Sequence, residues 1–270
     1  MQKLNRKMKT KLLVAFTFIL SLFSTNVWAW GTTGHRVVAE IAERNLTNKA
    51  KKNLQKIIGN QKLAYFANYP DFVKSDPRFK DNDGWHYVNL EANLNHEQCF
   101  AALEASTEKN LYKRALLLMD ELENSPSLSM EKKQEMIYYL IHIIGDAHQP
   151  LHVGRPGDLG GNKVKVEWFG QPTNIHAVWD GKLVDFEKYS YTEYAEVLDV
   201  LTKKDKKSVQ QGELKHWLFD SHILANEIYA DAASREDLRY EYHYKYKKMV
   251  EDQMMKAGLR LAKVLNVIYG

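Results

Sequence analysis

Tyr138-Tyr139-Leu140-Ile141-His142-Ile143-Ile144-Gly145-Asp146-Ala147-His148-Gln149-Pro150-Leu151-His152 sets three histidines and an aspartate inside an otherwise apolar run. Read as a helix, the run places His142 and Asp146, four apart, on one face. Pro150 must end that helix, so His152 enters from the following turn. Any one of these histidines reads as a hydrogen-bonded core residue. The cluster does not, because burying three imidazoles and a carboxylate without a balancing cation costs several kcal/mol. The stretch therefore predicts both a central helix and a metal site.

Working outward, most of the chain also reads as helix. Upstream, Val37, Val38, Ile41 and Ala42 recur at helical spacing after Gly34-His35, which puts His35 at a helix start. Thr47 suits the N-cap of a second helix that stops at Gly59. Residues 65–85 carry Asp71 and Lys74 in a loop with short helical turns and lead into Trp85-His86-Tyr87-Val88-Asn89. One or two amphipathic helices follow from His96 to Glu123, and Ser127 with Glu131 suits the start of the central helix.

Downstream, Val153 to Asn162 is a glycine-rich loop, and Val164, Val166 and Trp168 alternate with polar residues as a strand opening a hairpin. Asn174 to Asp180 turns helical again, with His176 and Asp180 four apart, a second copy of the His-x3-Asp geometry. From residue 190 the pattern is nearly all helical, with one stripe of Leu214, Trp217, Leu218 and Ile223 and another of Met254, Leu259, Leu261, Leu265 and Ile268. No internal repeat or low-complexity linker interrupts it. The expectation is a mainly α fold: one multi-helix domain over residues 30–270 with a short β-hairpin.

Residues 1–29 read as a cleaved signal peptide. Five basic residues precede the apolar stretch Leu12 to Phe23, which is short for a membrane span, and Val27-Trp28-Ala29 ends in small residues at the cleavage positions. Cleavage makes Trp30 the first residue and implies a secreted or periplasmic protein without stable membrane association. It also changes the charge: the segment holds five of the 38 Lys plus Arg, leaving 33 against 34 Asp plus Glu. The remainder is about neutral, so a general polyanion-binding surface is not implied and any nucleic-acid affinity would have to come from a local site. Cys99 is the single cysteine, so no internal disulfide can form.

His35, Asp71, His86, His142, Asp146, His152, His176 and Asp180 are the candidate ligands. Zinc takes imidazole nitrogen and carboxylate oxygen, three or four ligands per ion, so eight side chains suit two or three ions. His148, two residues from Asp146, points off the ligand face. His96, His216, His222 and His243 lack a partner pattern and read as structural or surface residues. Taken alone, Lys74 could be a solvated loop lysine, Asn162 a turn asparagine and Tyr87 a core aromatic.

The order of these elements resembles the zinc-dependent, single-strand-specific nucleases and 3′-nucleotidases of the S1/P1 type, relatives of bacterial zinc phospholipase C. The resemblance runs through residues 30–270. It is carried by Trp30-Gly31 with Gly34-His35, Trp85-His86-Tyr87, His142-x3-Asp146-x-His148-Gln149-Pro150-Leu151-His152, Gly160-Gly161-Asn162, His176-x3-Asp180 and Ala257-Gly258-Leu259-Arg260-Leu261-Ala262.

The resemblance implies a trinuclear zinc centre that activates a bridging water. Asp71, His86, His142 and Asp146 would hold one ion and His152, His176 and Asp180 a second. His35, Asp146 and the amino nitrogen and carbonyl oxygen of Trp30 would hold a third. It implies catalytic roles for Asp71, Lys74, Asp146 and Asn162, with Lys74 and Asn162 donating to the phosphate and Tyr87 stacking on an unpaired base. The substrates would be single-stranded DNA and RNA and 3′-nucleotides, the products 5′-phosphates and the protein a monomer. A departure is Asn89, where fungal members carry an acidic residue; their disulfides are also absent. A zinc phospholipase C shares the expected metal site, and a zinc-storage protein is the rival of another class.

Overall fold

The computed structural model describes residues 30–107 and 109–270; the expected signal segment lies outside them. In chain order come α1 (Thr32–Arg44), α2 (Asn48–Ile58), two single turns α3 (Leu63–Phe66) and α4 (Tyr69–Val73), and a 3-10 stretch Pro77–His86. These are followed by α5 (His96–Ala105), α6 (Leu111–Asn124) and α7 (Met130–Asp146). A turn at Pro150–Val153 leads to β1 (Lys165–Trp168) and β2 (Gln171–Asn174). Then follow a helical run over 175–186 (α8), α9 (Tyr191–Leu198), α10 (Lys203–Val209), α11 (Leu214–Ala232), β3 (Asp237–Leu238) and α12 (Tyr240–Tyr269). The chain is mainly α, as its periodicity predicts.

Local chemistry sets the helix ends. Thr47 Oγ1 accepts from Ala50 N–H (3.1 Å) at the start of α2, and Gly59, at φ +74°, ends it. The cap of α7 is Ser129, whose Oγ accepts from Lys132 N–H, and not the expected Ser127. Ser127 stands four residues before Glu131, one more than the capping-box spacing, whereas Ser129 lies three before Lys132. At the other end α7 stops at Asp146, four residues before Pro150, where the proline ring would meet a helical carbonyl.

From Tyr139 to Asp146 α7 is buried on every side, and α1, α2, α3, α4, α6 and α12 pack around it. Leu140, Ile141, Ile143 and Ile144 each contribute roughly 1.5–3 kcal/mol by burial, which offsets the cost of carrying polar side chains among them. The stripe on α11 differs from expectation in one residue. Leu214, Trp217 and Leu218 are buried but Ile223 is exposed. Nine positions beyond Leu214, at about 3.6 residues per turn, it falls on the opposite face. Met254, Leu259, Leu261 and Leu265 are buried in α12 and Ile268 lies at the edge.

The sheet has the order β2-β1-β3. β1 and β2 form the expected hairpin, Lys165 opposite Asn174 and Trp168 opposite Gln171, closed by Phe169 and Gly170 at φ +52° and +74°. Two consecutive positive φ angles match the strand twist. β3, parallel to β1, interrupts the helical C-terminal region; at two residues it carries no periodic signal in the sequence.

Candidate metal centre

α7 delivers His142 and Asp146 together. His142 Nδ1 lies 2.7 Å from the Ala67 carbonyl, which can only accept, so Nδ1 donates and Nε2 is left as the inward-facing atom. That Nε2 stands 3.3 Å from Asp146 Oδ2, 3.7 Å from Asp71 Oδ2 and 3.0 Å from His86 Nδ1, which is itself 3.1 Å from Asp146 Oδ2. The other oxygen of Asp146 faces a different set, 3.3 Å from His35 Nε2 and 3.4 Å from His152 Nδ1. Asp146 is thus the residue at which the groups meet.

The second copy is built the same way. His176 Nδ1 donates to Gly160 O (2.6 Å) and its Nε2 lies 3.1 Å from Asp180 Oδ2. His152 Nδ1 donates to His86 O (2.6 Å) and its Nε2 lies 3.5 Å from Asp180 Oδ1. Three groups result, His35/Asp71/His142, His86/His142/Asp146 and His152/His176/Asp180, and in each the ligand atoms all lie within 4.8 Å of one another. All eight side-chain candidates are brought together and buried.

Close approaches between elements make this possible. Gly145 lets α1 lie against α7, since a Cβ there would stand 2.7 Å from His35 Nδ1; the His35 ring stacks on His142 at 3.8 Å. Trp30 is fully buried, its indole Nε1 donates to Gly145 O (2.9 Å), and the next N–H, of Gly31, donates to Asp180 O. The beginning of the described chain is therefore wedged between the two His-x3-Asp copies. Gly160, at φ +63°, brings its carbonyl to His176, and a Cβ there would stand 2.5 Å from Leu151 O.

The donor set fits metal ions. None of His35 Nδ1, His35 Nε2, Asp71 Oδ2, Asp146 Oδ1, His152 Nε2 and Asp180 Oδ2 has a well-aligned hydrogen-bond partner among the described residues, although all are buried. Burial and the neighbouring His142 push His35 down to about 4, so it is a neutral imidazole at ordinary pH. Burial opposes charge on His152 as well, but Asp146 and Asp180 outweigh it and push that imidazole up to about 9. Burial likewise acts to raise Asp146, yet His142 and His152 hold it well below the usual carboxylate range. Without metal, His152 thus keeps a proton on a lone pair that a cation would take, whereas His35 and Asp146 offer theirs free.

The site opens on a cleft of about 500 Å³ lined by His86, His152, His176, Lys74, Tyr87 and Asn162, among others. Lys74 Nζ is 2.6 Å from Asp71 Oδ1, and Asn162 Nδ2 donates one hydrogen to Leu159 O (2.8 Å), while its second N–H has no partner among the described residues. Tyr87 is 43% exposed, so it is not a core aromatic. Asn89 forms part of the cleft wall.

His148 is buried away from the ligands, between Ile144 O (2.8 Å) and Arg260 Nη1 (3.0 Å). His243 pairs with Glu187, His222 hydrogen-bonds near Asn226, and His96 and His216 belong to an aromatic group with Phe100. Sequence reading missed the supports: Gln149, whose Nε2 donates to Asp180 Oδ1 (2.6 Å), and the carbonyls of Ala67, His86 and Gly160. Carbonyls carry no residue signature. Gln149 stood in the quoted run and was legible as a polar residue inside an apolar stretch.

Fold and site together define a mainly α protein with three His/Asp groups, each able to hold a metal ion, two of which reach one cleft through His86, His152 and His176. The S1/P1 Nuclease family model matches residues 30–270, and the chain belongs to that family: it is a nuclease, a hydrolase of phosphodiester bonds. Endonuclease 5 of Arabidopsis thaliana is 28% identical over 287 residues, covering 96% of this chain and 97% of its own length. Nuclease S1 of Aspergillus oryzae is 25% identical (89% of this chain, 92% of its own), and Nuclease P1 of Penicillium citrinum 26% (89% and 98%). No helix among the described residues is long and apolar enough to cross a membrane.

Proposed function

We propose that the chain, exported to the periplasm or the medium and cleaved before Trp30, is a zinc-dependent endonuclease of single-stranded DNA and RNA. It yields 5′-phosphate products and also acts as a 3′-nucleotidase. The observation that carries this reading is one cleft shared by His86, His152 and His176, which belong to the ligand groups, and by Lys74, Asn162 and the half-exposed Tyr87. Asp71, His86, His142 and Asp146 are assigned to a first zinc and His152, His176 and Asp180 to a second. His35, Asp146 and the amino nitrogen and carbonyl oxygen of Trp30 are assigned to a third. The opposed outlook of the two Asp146 oxygens and the buried position of Trp30 support that division. Zinc bound there would polarise phosphoryl oxygens and make water acidic enough to attack near neutral pH.

The remaining work falls to the chain itself. Lys74 sets a positive charge at the cleft wall, held by Asp71, and offsets charge on a non-bridging phosphate oxygen. The free N–H of Asn162 donates to the same group. Tyr87 offers a ring face that any base can stack on, but only if that base is unpaired, which favours single strands. A free amine at Trp30 requires signal cleavage, since an acylated nitrogen cannot coordinate in the same way.

Protein beginning at Trp30 should cleave single-stranded DNA, leave the same sequence in a duplex largely intact and not hydrolyse phosphatidylcholine. Turnover of lipid alone would overturn the reading in favour of a phospholipase, and one tight zinc without hydrolysis in favour of storage. Retaining a methionine before Trp30 should remove one zinc and most activity; full activity in that protein would refute the amine ligand.

A further inference from the structure

The loop over residues 154–162 forms one wall of the cleft and supplies two functional groups, the Gly160 carbonyl that fixes His176 and the side chain of Asn162. It contains Gly154, Gly157, Gly160 and Gly161, so by composition it has little intrinsic stiffness. It is held from behind by α11. Tyr229, 5% exposed, donates from its hydroxyl to Asp158 Oδ1 (2.8 Å) and accepts from Arg155 N–H (3.3 Å). Asp158 Oδ1 also accepts from Gly161 N–H (2.7 Å), and Gly160 N–H donates to Arg155 O (3.0 Å). The Arg155 guanidinium covers the Tyr229 ring at 4.2 Å.

We propose that Tyr229 and Asp158 are positioning residues for the His176 metal group, acting as a clasp that holds Gly160 O where it can orient the imidazole. The physical reason is that an imidazole can rotate about its side-chain bonds and exchange tautomers. Only an acceptor fixed opposite Nδ1 keeps Nε2 aimed at Asp180 and a bound ion. For His142 the acceptor lies in the core, whereas for His176 it lies on a glycine loop that would wander if released. The clasp rigidifies that loop from its far side, without touching ligand or substrate. Through the same loop it also sets Asn162, so one distant helix controls both a ligand and a phosphate donor.

This inference rests on the zinc assignment proposed above, and the test keeps the two apart. Metal-free protein is titrated with zinc against a competing chelator. In Tyr229→Phe, which preserves the ring and removes the hydroxyl, one of the three ions should bind about 10- to 100-fold more weakly, with the other two unchanged. Asp158→Ala, at a half-buried loop position, should show the same selective loss and serves if the tyrosine variant does not fold. Asp158→Asn keeps an oxygen for both donors and should restore affinity close to that of the native chain. Native affinity for all three ions in both Tyr229→Phe and Asp158→Ala would overturn the clasp, as would equal weakening of all three. A native chain that takes up no zinc would instead remove the zinc assignment, and this inference with it.

Discussion

The chain uses His-x3-Asp twice, and the two copies are held in different ways. His142 and Asp146 end a regular helix, both fully buried, with the His142 ring stacked on His35 and its Nδ1 bound to Ala67 O. His176 and Asp180 lie where α8 loosens into a π turn, Val178–Lys182; His176 borders the cleft and takes its acceptor from a glycine loop. π turns concentrate at functional sites, where they re-aim side chains that a regular helix would misplace. The contrast shows that a four-residue spacing selects a face and nothing more. Ring orientation comes from the partner on Nδ1, supplied by the core for one copy and by a clasped loop for the other.

The contrast can be broken or sharpened by experiment. The largest effect is expected from Asp146→Ala, which leaves the surrounding imidazoles without their shared carboxylate. Activity should fall by more than the roughly 10²–10³-fold typical of removing one electrostatic stabiliser. Loss of a buried charge partner should cost about 3–5 kcal/mol, seen as a lower Tm in thermal unfolding. Asp180→Ala should also lose roughly 10²–10³-fold in activity and one zinc by elemental analysis, with a smaller Tm loss, because the buried Asp180 carboxylate faces two imidazoles, His152 and His176, where Asp146 faces four. Equal Tm losses in the two variants would erase the distinction between a core copy and a cleft copy.

A smaller effect is expected at the cleft mouth. Tyr87→Ala should raise KM for a single-stranded oligonucleotide by about 5- to 150-fold, the equivalent of about 1–3 kcal/mol of stacking, with kcat and Tm nearly unchanged. A Tm loss instead would return Tyr87 to a packing role. The smallest effect is a local one. Removing metal with a chelator should speed hydrogen exchange of amides in residues 158–163 by about tenfold while those of residues 139–145 in α7 stay protected, because the loop has the lower local stability. Uniform deprotection would mean that both copies depend on metal for their backbone structure.

Much was legible in the chain because it depends on local periodicity. The helical stripes, the Thr47 cap, the stop before Pro150, the hairpin and both His-x3-Asp faces each rest on residues a few positions apart. The errors were also local: Ser127 lay one residue outside the capping spacing, Ile223 was half a turn out of register, and β3 was too short to show a period. The site's membership was legible too, since residue types that bind metals are few and their order along the chain is distinctive.

What the sequence by itself determined, then, is which residues are chemically able to act and which face of its own helix each occupies. Only the tertiary structure decided how they are shared: that Asp146 turns one oxygen to His86 and His142 and the other to His35 and His152, that Trp30 is wedged beside Gly145, and that Tyr229 holds the loop beneath His176. The reason is physical. A side chain's direction within its element follows from backbone geometry over one or two turns. Its partners across elements are set by how whole helices pack, and the backbone carbonyls that orient His142, His152 and His176 leave no mark in the sequence.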